Sequence, residues 1–212
     1  MIKIETFVFN PFQENTYVVS DDTKECIILD PGCYFDEEKQ KLSDYIEKTQ
    51  LKPKYIVHTH GHIDHAIGTN FLKEKYSIQS IMHKDDLELL RRNSEFGKSI
   101  GIEIDQPSDP EIFIAENESV NLGETEFTVY HAPGHSPGSI VLYNDKNKIV
   151  FSGDVLFRRG IGRTDLAGGD HITLIESIQK KLLTLDDNVT VYPGHGELTT
   201  IKEEKSGNPL LI

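Results

Sequence analysis

The chain of 212 residues is long enough to bury a full hydrophobic core, and its size favours one compact domain over residues 1–212. Hydrophobic residues make up 37% and charged residues 27%, a balance typical of a globular protein and not of a collagen, a coiled coil or a membrane bundle. The 22 Lys and Arg against 35 Asp and Glu leave a net charge of -13, which disfavours nucleic acid as a partner.

The N-terminal segment and the cysteine content bear on location. Residues 1–10 show the alternating pattern of a strand and lack the basic and apolar stretches of a secretory signal peptide. Cys26 and Cys33 are too few for a disulfide framework, and Cys33 is expected to be a buried thiol. We therefore expect a cytoplasmic protein that keeps free thiols and does not associate with a membrane.

Apolar spacing in the first half of the chain predicts short strands that give way to alternating helices and strands. In chain order the predicted elements are strands over 3–9, 16–20 and 25–30, a helix over 35–50, a strand over 54–59, a helix over 66–75, a strand over 78–82 and a helix over 85–96. Residues 100–110 are expected to form a loop. Such alternation favours helices layered on a sheet.

The second half repeats that order with a second meander. Its predicted strands cover 119–122, 126–131, 139–143 and 148–152, followed by a helix carrying Ile172, Ile175, Ile178 and Leu182 and by a strand over 189–192. Thr200 and Glu203 stand at capping-box spacing, which predicts a short final helix ending near Asn208. Two sheets with helices outside them satisfy this order, and no linker or repeat marks a domain boundary.

Histidine and aspartate cluster where predicted strands end, in or beside glycine-rich turns. Five of the 9 histidines and two aspartates share this placement: His60, His62, Asp64, His65, His135, Asp154 and His195. A rigid strand end presents reactive groups, and neighbouring glycines let the backbone approach a ligand closely. The sequence therefore predicts a metal site assembled from four strand ends.

The number of candidate ligands leaves two kinds of metal site open. Imidazole nitrogens and carboxylate oxygens suit zinc and other borderline cations. Seven such ligands are more than one tetrahedral ion needs, so two ions sharing a carboxylate would use the set more completely. A single ion with the remaining residues around it is the alternative.

These motifs resemble those of a known family. The string His60-x-His62-x-Asp64-His65, followed at long range by His135, Asp154 and His195, is similar to the signature of the metallo-β-lactamase-fold hydrolases, in register over most of the chain. The segments 160–165 and 193–209 sharpen the resemblance to the small single-domain bacterial type II glyoxalases, or hydroxyacylglutathione hydrolases. The resemblance implies an α/β fold, a four-layered αββα sandwich of two mixed β-sheets with metals at its edge.

The resemblance also implies a role for each matching residue. The ligands divide between two ions as follows: His60, His62 and His135 on the first, Asp64, His65 and His195 on the second, and Asp154 bridging the two. Asp30 matches the aspartate that lies beside the ligands in the family, where it would orient an imidazole. Two divalent ions are therefore expected, zinc before iron or manganese.

The resemblance and the ligand chemistry together predict a metal-dependent thioester hydrolase. Coordination lowers the pKa of water from about 15.7 toward roughly 7, which makes hydroxide available at neutral pH. We expect that hydroxide, oriented by Asp64, to attack the carbonyl of a small acyl-thiol such as S-lactoylglutathione. A thiolate leaves without a strong proton donor, and no residue outside the ligand set stands out as a general acid, so a thioester is favoured over an amide.

Basic residues that follow Asp154 are candidates for binding an anionic substrate. Arg158 and Arg163 lie close behind it in an otherwise acidic chain, and the resemblance places Arg163 where larger glyoxalases contact glutathione. Those larger enzymes continue into a helical domain that grips glutathione, whereas this sequence ends soon after His195. The identity of the thiol is therefore left open.

Three other functions are weighed against this one. A persulfide dioxygenase of the same fold would hold a single iron through His60, His135 and Asp154, because two histidines and one carboxylate suit iron and oxygen. Hydrolysis of phosphodiesters or RNA is disfavoured by the net charge of -13. A metal-binding scaffold without turnover is disfavoured because the ligand set is complete.

Overall fold

Two six-stranded β-sheets form the framework of the structure, a computed structural model that describes residues 1–211. In the first sheet the strands follow chain order: β1 (Lys3–Phe9), β2 (Glu14–Ser20), β3 (Glu25–Leu29), β4 (Lys52–Val57), β5 (Gln79–Met82) and β6 (Ile112–Phe113). The pairs from β1 to β3 are antiparallel and those from β3 to β6 are parallel, so the sheet is mixed.

The second sheet is built from the second half of the chain. Its strands are β7 (Ser119–Leu122), β8 (Thr125–His131), β9 (Ile140–Asn144), β10 (Ile149–Gly153), β13 (Thr190–Pro193) and β14 (Thr199–Thr200), while β11 (Leu156–Phe157) and β12 (Gly160–Ile161) pair separately. The first four strands are antiparallel neighbours, and β13 joins β10 in parallel. Because β10 and β13 run in the same direction, the residues that follow them emerge at one edge.

Helices cover the outer face of each sheet. They are α1 (Asp36–Thr49), α2 (Ile63–Ala66), α3 (Thr69–Tyr76), α4 (Leu87–Leu90), α5 (Asn93–Ser99), α6 (His171–Ser177) and α7 (Ile201–Gly207), with a 3₁₀ turn at Lys84–Asp86 and a π-helical turn at Ile178–Leu182. Apolar residues of α1 and α3 pack on the first sheet, and those of α6 and the π-helical turn pack on the second. The predicted αββα sandwich is confirmed. Within residues 1–211, every helix is too short or too polar to span a bilayer.

Alternation within the strands separates an inner from an outer apolar layer. Ile27 and Leu29 of β3 belong to the core between the sheets, whereas Ile28 between them packs with Leu42 of α1. Leu142 of β9 contributes to the inner core from the opposite sheet. Successive strand residues point to opposite faces, so each sheet buries both of its faces.

Side-chain caps fix the ends of two helices. The Glu38 carboxylate accepts hydrogen bonds from the backbone N–H groups of Tyr34 and Phe35 at 2.8 and 3.1 Å, which satisfies donors at the start of α1. The Thr200 hydroxyl accepts the backbone N–H of Glu203 at 3.2 Å at the start of α7. The cap predicted from the spacing of Thr200 and Glu203 is therefore present.

The helix predicted over 85–96 is wrong as a single element. The chain divides there into the 3₁₀ turn, α4 and α5. Asp86 Oδ2 accepts the backbone N–H of Gly61 at 2.7 Å, and Asn93 Nδ2 donates to the carbonyl of the same glycine at 3.1 Å. In a continuous helix those two residues would lie about 10 Å apart along the axis. These two contacts with Gly61 tie the residues on either side of the break to one segment.

Other differences from the predicted elements have local causes. The helix predicted over 66–75 is two helices, α2 and α3, separated at Gly68, whose backbone N–H donates to the Pro31 carbonyl at 2.8 Å. The short strands β6, β11, β12 and β14 were not predicted, because two residues carry no periodic signal. Ile172 was expected on the buried face of its helix, yet it is 71% exposed, and Leu174 is buried instead.

Leu142 and Ile172 provide a matched test of the layered core. The Leu142→Ala variant should lose about 2–5 kcal/mol of unfolding free energy, because the fully buried side chain leaves a cavity between the sheets. The Ile172→Ala variant should change by less than about 0.5 kcal/mol, since that side chain is exposed. Urea unfolding followed by circular dichroism measures both. Equal losses in the two variants would contradict the arrangement.

Candidate metal centre

The ends of several strands place the candidate ligands together at one edge of the sandwich. The segment after β4 carries His60 and His62 and leads into α2, whose first turn contains Asp64 and His65. The remaining three ligands follow strands of the second sheet: His135 after β8, Asp154 after β10 and His195 after β13. All seven predicted metal-site residues therefore come together, in two clusters that share Asp154.

Three histidines form the first cluster. His62 Nδ1 lies 2.9 Å from His135 Nε2, which lies 3.3 Å from His60 Nε2. The opposite nitrogens are engaged elsewhere, because His135 Nδ1 donates to the Arg163 carbonyl at 2.8 Å and His60 Nδ1 lies 3.0 Å from Thr59 Oγ1. A neutral ring that donates from Nδ1 keeps its lone pair at Nε2. His60 and His135 thus turn unprotonated nitrogens toward a common point.

The second cluster combines two histidines with a carboxylate. His195 Nε2 lies 3.2 Å from both His65 Nε2 and Asp64 Oδ2. His195 Nδ1 donates to the Phe12 carbonyl at 3.1 Å, and His65 Nδ1 lies 3.1 Å from Asp30 Oδ2. Each imidazole is thus oriented by an outer acceptor, as metal-ligating histidines commonly are.

Asp30 has the position predicted for it beside the ligands. Its carboxylate is buried and also accepts the backbone N–H and the hydroxyl of Thr59 at 2.7 and 2.6 Å. Because the Asp30 carboxylate only accepts hydrogen bonds, His65 Nδ1 carries a proton and donates to it. Asp30 therefore connects the end of β3 to the segment of the first cluster and to a histidine of the second.

Asp154 faces both clusters. Its Oδ1 lies 3.5 Å from His65 Nε2, and its Oδ2 lies 3.6 Å from the Nε2 atoms of both His135 and His195. Oδ1 is buried without a hydrogen-bond partner among the described residues, and so is His62 Nε2. Facing nitrogens and an unpartnered carboxylate oxygen are the arrangement that divalent cations stabilise, so the residues present fit such ions.

Burial and neighbouring charges separate the pKa values of the two clusters. Burial, aided by the surrounding histidines, lowers the pKa of His60 well below its usual value and that of His62 to about 3. Burial also opposes charge on His65, but nearby carboxylates, Asp64 foremost, outweigh it and raise the pKa. The hydrogen bond to Asp64 likewise raises the pKa of His195 against its burial. His60 and His62 are thus uncharged at neutral pH, while the carboxylates of the second cluster favour protons on His65 and His195.

The two predicted substrate arginines have different positions. Arg163 lines a cavity of about 400 Å³ that opens onto the ligands, but its guanidinium is paired with Asp165 at 2.7 and 2.8 Å. Arg158 is paired with Glu197 and does not line that cavity. Neither arginine therefore turns an unpaired charge toward the ligands.

Asp86 is a functional candidate that sequence reasoning missed. It is fully buried, and its carboxylate accepts hydrogen bonds from the Gly61 N–H, the Ser136 hydroxyl and the Gly138 N–H at 2.7, 2.6 and 2.5 Å. Gly61 separates two ligands of the first cluster, and Ser136 follows the third, so Asp86 joins the two loops that supply this cluster. The sequence shows the acidic pair 85–86 but does not show that Asp86 is buried, so it gave no signal for this role.

Comparison with known proteins agrees with this geometry. The model of the metallo-β-lactamase superfamily matches residues 9–195. The chain belongs to that superfamily. Hydroxyacylglutathione hydrolase GloC of Haemophilus influenzae is 38% identical over 212 residues, which cover 99% of this chain and 98% of that protein.

Solved structures of the superfamily superimpose closely on the chain. The BLEG-1 B3 metallo-β-lactamase is 38% identical with a TM-score of 0.90, and the match covers 100% of this chain and 99% of that one. TTHA1623, solved in a di-iron-bound form, is 35% identical with a TM-score of 0.88 over 98% of this chain and 100% of that one. Members of the superfamily bind divalent metals, in keeping with the His and Asp clusters of this chain.

Replacing Asp86 tests whether it positions the first cluster. The Asp86→Asn variant should bind zinc about tenfold more weakly, because outer partners of metal ligands contribute on that scale and the amide cannot accept from all three donors. Zinc affinity is measured by competition with a chromogenic chelator. The exposed Asp105 offers the control, Asp105→Asn. Unchanged affinity in a folded Asp86→Asn variant would show that Asp86 has no positioning role.

The difference in pKa between the clusters predicts a pH effect on metal binding. His65 and His195 have raised pKa values and hold protons that a metal must displace, so affinity at their cluster should increase with pH. His60 and His62 have lowered pKa values and are already unprotonated at pH 6. Zinc titration at pH 6 and pH 8 should therefore show two steps, of which the step at the second cluster strengthens at least about tenfold and more than the other. Two steps with equal pH dependence would contradict this order.

Proposed function

We propose that this metallo-hydrolase is a thioesterase of the type II glyoxalase class, which hydrolyses a small acyl-thiol such as S-lactoylglutathione. The observation that carries the proposal is Asp154, whose carboxylate faces both clusters and lines a cavity of about 400 Å³. The whole-length similarity to a hydroxyacylglutathione hydrolase supports the choice of substrate class.

Each residue of the site has a task in this reaction. The ligand assignment is His60, His62 and His135 for one ion, Asp64, His65 and His195 for a second, and Asp154 for both. Bound divalent ions, zinc before iron or manganese, supply Lewis acidity and lower the pKa of water. Asp64 accepts a hydrogen bond from the attacking water and directs it toward the thioester carbon, while Asp30 holds the ring of His65 in place.

The walls of the cavity favour a thiolate leaving group. Phe12, Phe157 and Ile161 line it near the ligands, so they exclude bulk water and strengthen the electrostatic interactions inside. Among the described residues that line this cavity, none is a lysine, a tyrosine or a serine that would protonate an amine. A thiolate departs without such a donor, which an amide nitrogen requires.

The proposal also covers the cellular setting and the organisation of the chain. We place the protein in the cytoplasm as a single domain with a small molecule as its partner, in preference to nucleic acid or a membrane. Cys26 and Cys33 are buried free thiols, and burial raises the pKa of each to about 12. Such thiols resist oxidation and need no disulfide partner.

A persulfide dioxygenase is the second candidate. His60 and His135 present Nε2 atoms 3.3 Å apart, and Asp154 Oδ2 lies 3.6 Å from the latter nitrogen. Two histidines and one carboxylate suit a single iron that activates oxygen. In that case the second cluster would surround the site without holding an ion.

A side-by-side assay separates these activities. Protein loaded with zinc or iron should hydrolyse S-lactoylglutathione faster than a lactone, a β-lactam or a phosphodiester. Glutathione persulfide should cause no oxygen uptake. The Asp154→Asn variant should lose at least about 100-fold in kcat/KM, since it removes a ligand and not merely an outer partner. The control, Asp85→Asn, should keep its activity.

Three results would contradict the proposal. Oxygen uptake with persulfide and no thioester hydrolysis would establish the dioxygenase. Thioester hydrolysis that does not exceed the Asp154→Asn background would exclude a thioesterase. Faster reaction with the β-lactam or the phosphodiester would show that this compound represents the substrate class instead.

A further inference from the structure

A second cleft adjoins the cavity at the candidate metal centre. It has a volume of about 370 Å³ and lies between α5 on one side and residues 166–167 on the other. The two spaces share three wall residues, namely His62, Phe96 and Leu166. The second space, which we call the α5 cleft, therefore lies directly beside a molecule held at the ligands.

The wall of the α5 cleft is fixed to the ligand loop. Asn93, at the start of α5, is buried and donates to the Gly61 carbonyl at 3.1 Å. Gly97 packs against Ile63, the residue after His62, so closely that an added Cβ would stand 3.0 Å from Ile63 Cδ1. This close packing holds α5 against the segment that carries His60 and His62, so the cleft is formed before any substrate arrives.

Two unpaired charges of opposite sign line the α5 cleft. Arg92 and Glu95 both border it, and neither forms an ion pair or a side-chain hydrogen bond with any residue of the range 1–211. The neighbouring Arg91, in contrast, is held by Glu88 and Asp109. A guanidinium and a carboxylate are thus both available to a ligand, unlike the paired charges of Arg158 and Arg163.

We propose that the α5 cleft binds the thiol arm of the substrate, and that it takes an arm ending in an α-amino acid. The proposal rests on the thioesterase function. Arg92 binds the carboxylate of that end and Glu95 binds its ammonium group, while Phe96 and Leu166 contact the stem that leads from the sulfur. A thiol arm that ends in phosphates would meet the negative charge of Glu95. The cleft therefore selects amino-acid thiols over phosphate-bearing thiols.

Binding of a thioether that cannot be hydrolysed tests the proposal without turnover. S-methylglutathione carries the amino-acid end, and the methyl thioether of N-acetylcysteamine is a neutral probe of the same sulfur chemistry. Titration calorimetry should show Arg92→Ala binding S-methylglutathione about tenfold more weakly, because one charge-assisted contact is lost, while Glu95→Gln weakens it severalfold. Binding of the neutral probe should not change.

Lys98 supplies a matched control on the same helix. It is exposed and does not line the cleft, so Lys98→Ala removes a positive charge from α5 and should bind both probes as the unaltered protein does. Equal affinity of the unaltered protein for the two probes would overturn the proposal. So would an Arg92→Ala variant that matches Lys98→Ala with S-methylglutathione.

The test distinguishes this inference from the proposed function. Selective binding that depends on Arg92, together with no thioester hydrolysis, would support the subsite and refute the thioesterase. Hydrolysis of S-lactoylglutathione that is unaffected by Arg92→Ala, together with no selectivity between the two probes, would support the thioesterase and refute the subsite.

Discussion

Apolar contact between the two sheets is the interaction on which the site depends. Phe151 of the second sheet packs against Tyr17 of the first, with ring centroids 5.2 Å apart, in the core that both sheets share. The Tyr17 hydroxyl continues across the interface and donates to the Pro193 carbonyl at 2.6 Å, and Asn15 donates to the same carbonyl and to that of Gly196. These contacts bring the loop of His195 to the first sheet, so one core aligns ligands from both halves of the chain.

Buried charges at the edge of the sandwich are costly unless opposite charges or a cation balance them. In the first cluster, burial lowers the pKa values of His60 and His62, so these two histidines carry no charge at neutral pH. The second cluster places His65 and His195 beside Asp64, where each proton is held by a carboxylate. A metal ion at the second cluster must therefore displace protons that these carboxylates favour, so the two clusters respond differently to the same ion.

Local pattern was enough to find the ligands but not the residues that position them. The metal-site residues stand beside glycine turns after strands, so short motifs identify them, and apolar alternation was enough to predict both sheets. Asp86 and Asn93 act through Gly61, which is 25 and 32 residues away, and no local spacing encodes such a contact. Both residues lie at ends of the short elements into which the helix predicted over 85–96 divides, so its helical pattern did not reveal these contacts.

The pairing of individual charged side chains could not be predicted from the sequence either. Arg163 stands close to a ligand in sequence, which made it the natural candidate for an anionic substrate, yet Asp165 two residues later neutralises it. Arg92 lies far from the ligand motifs in sequence, but the fold places it in a cleft that shares His62 with the metal centre, with no carboxylate against it in residues 1–211. The net charge of -13 predicts neither outcome. Whether an arginine can bind a substrate depends on which carboxylates the fold brings within reach of it, and in this protein the local pairing of charges outweighs both the total charge and the distance along the chain.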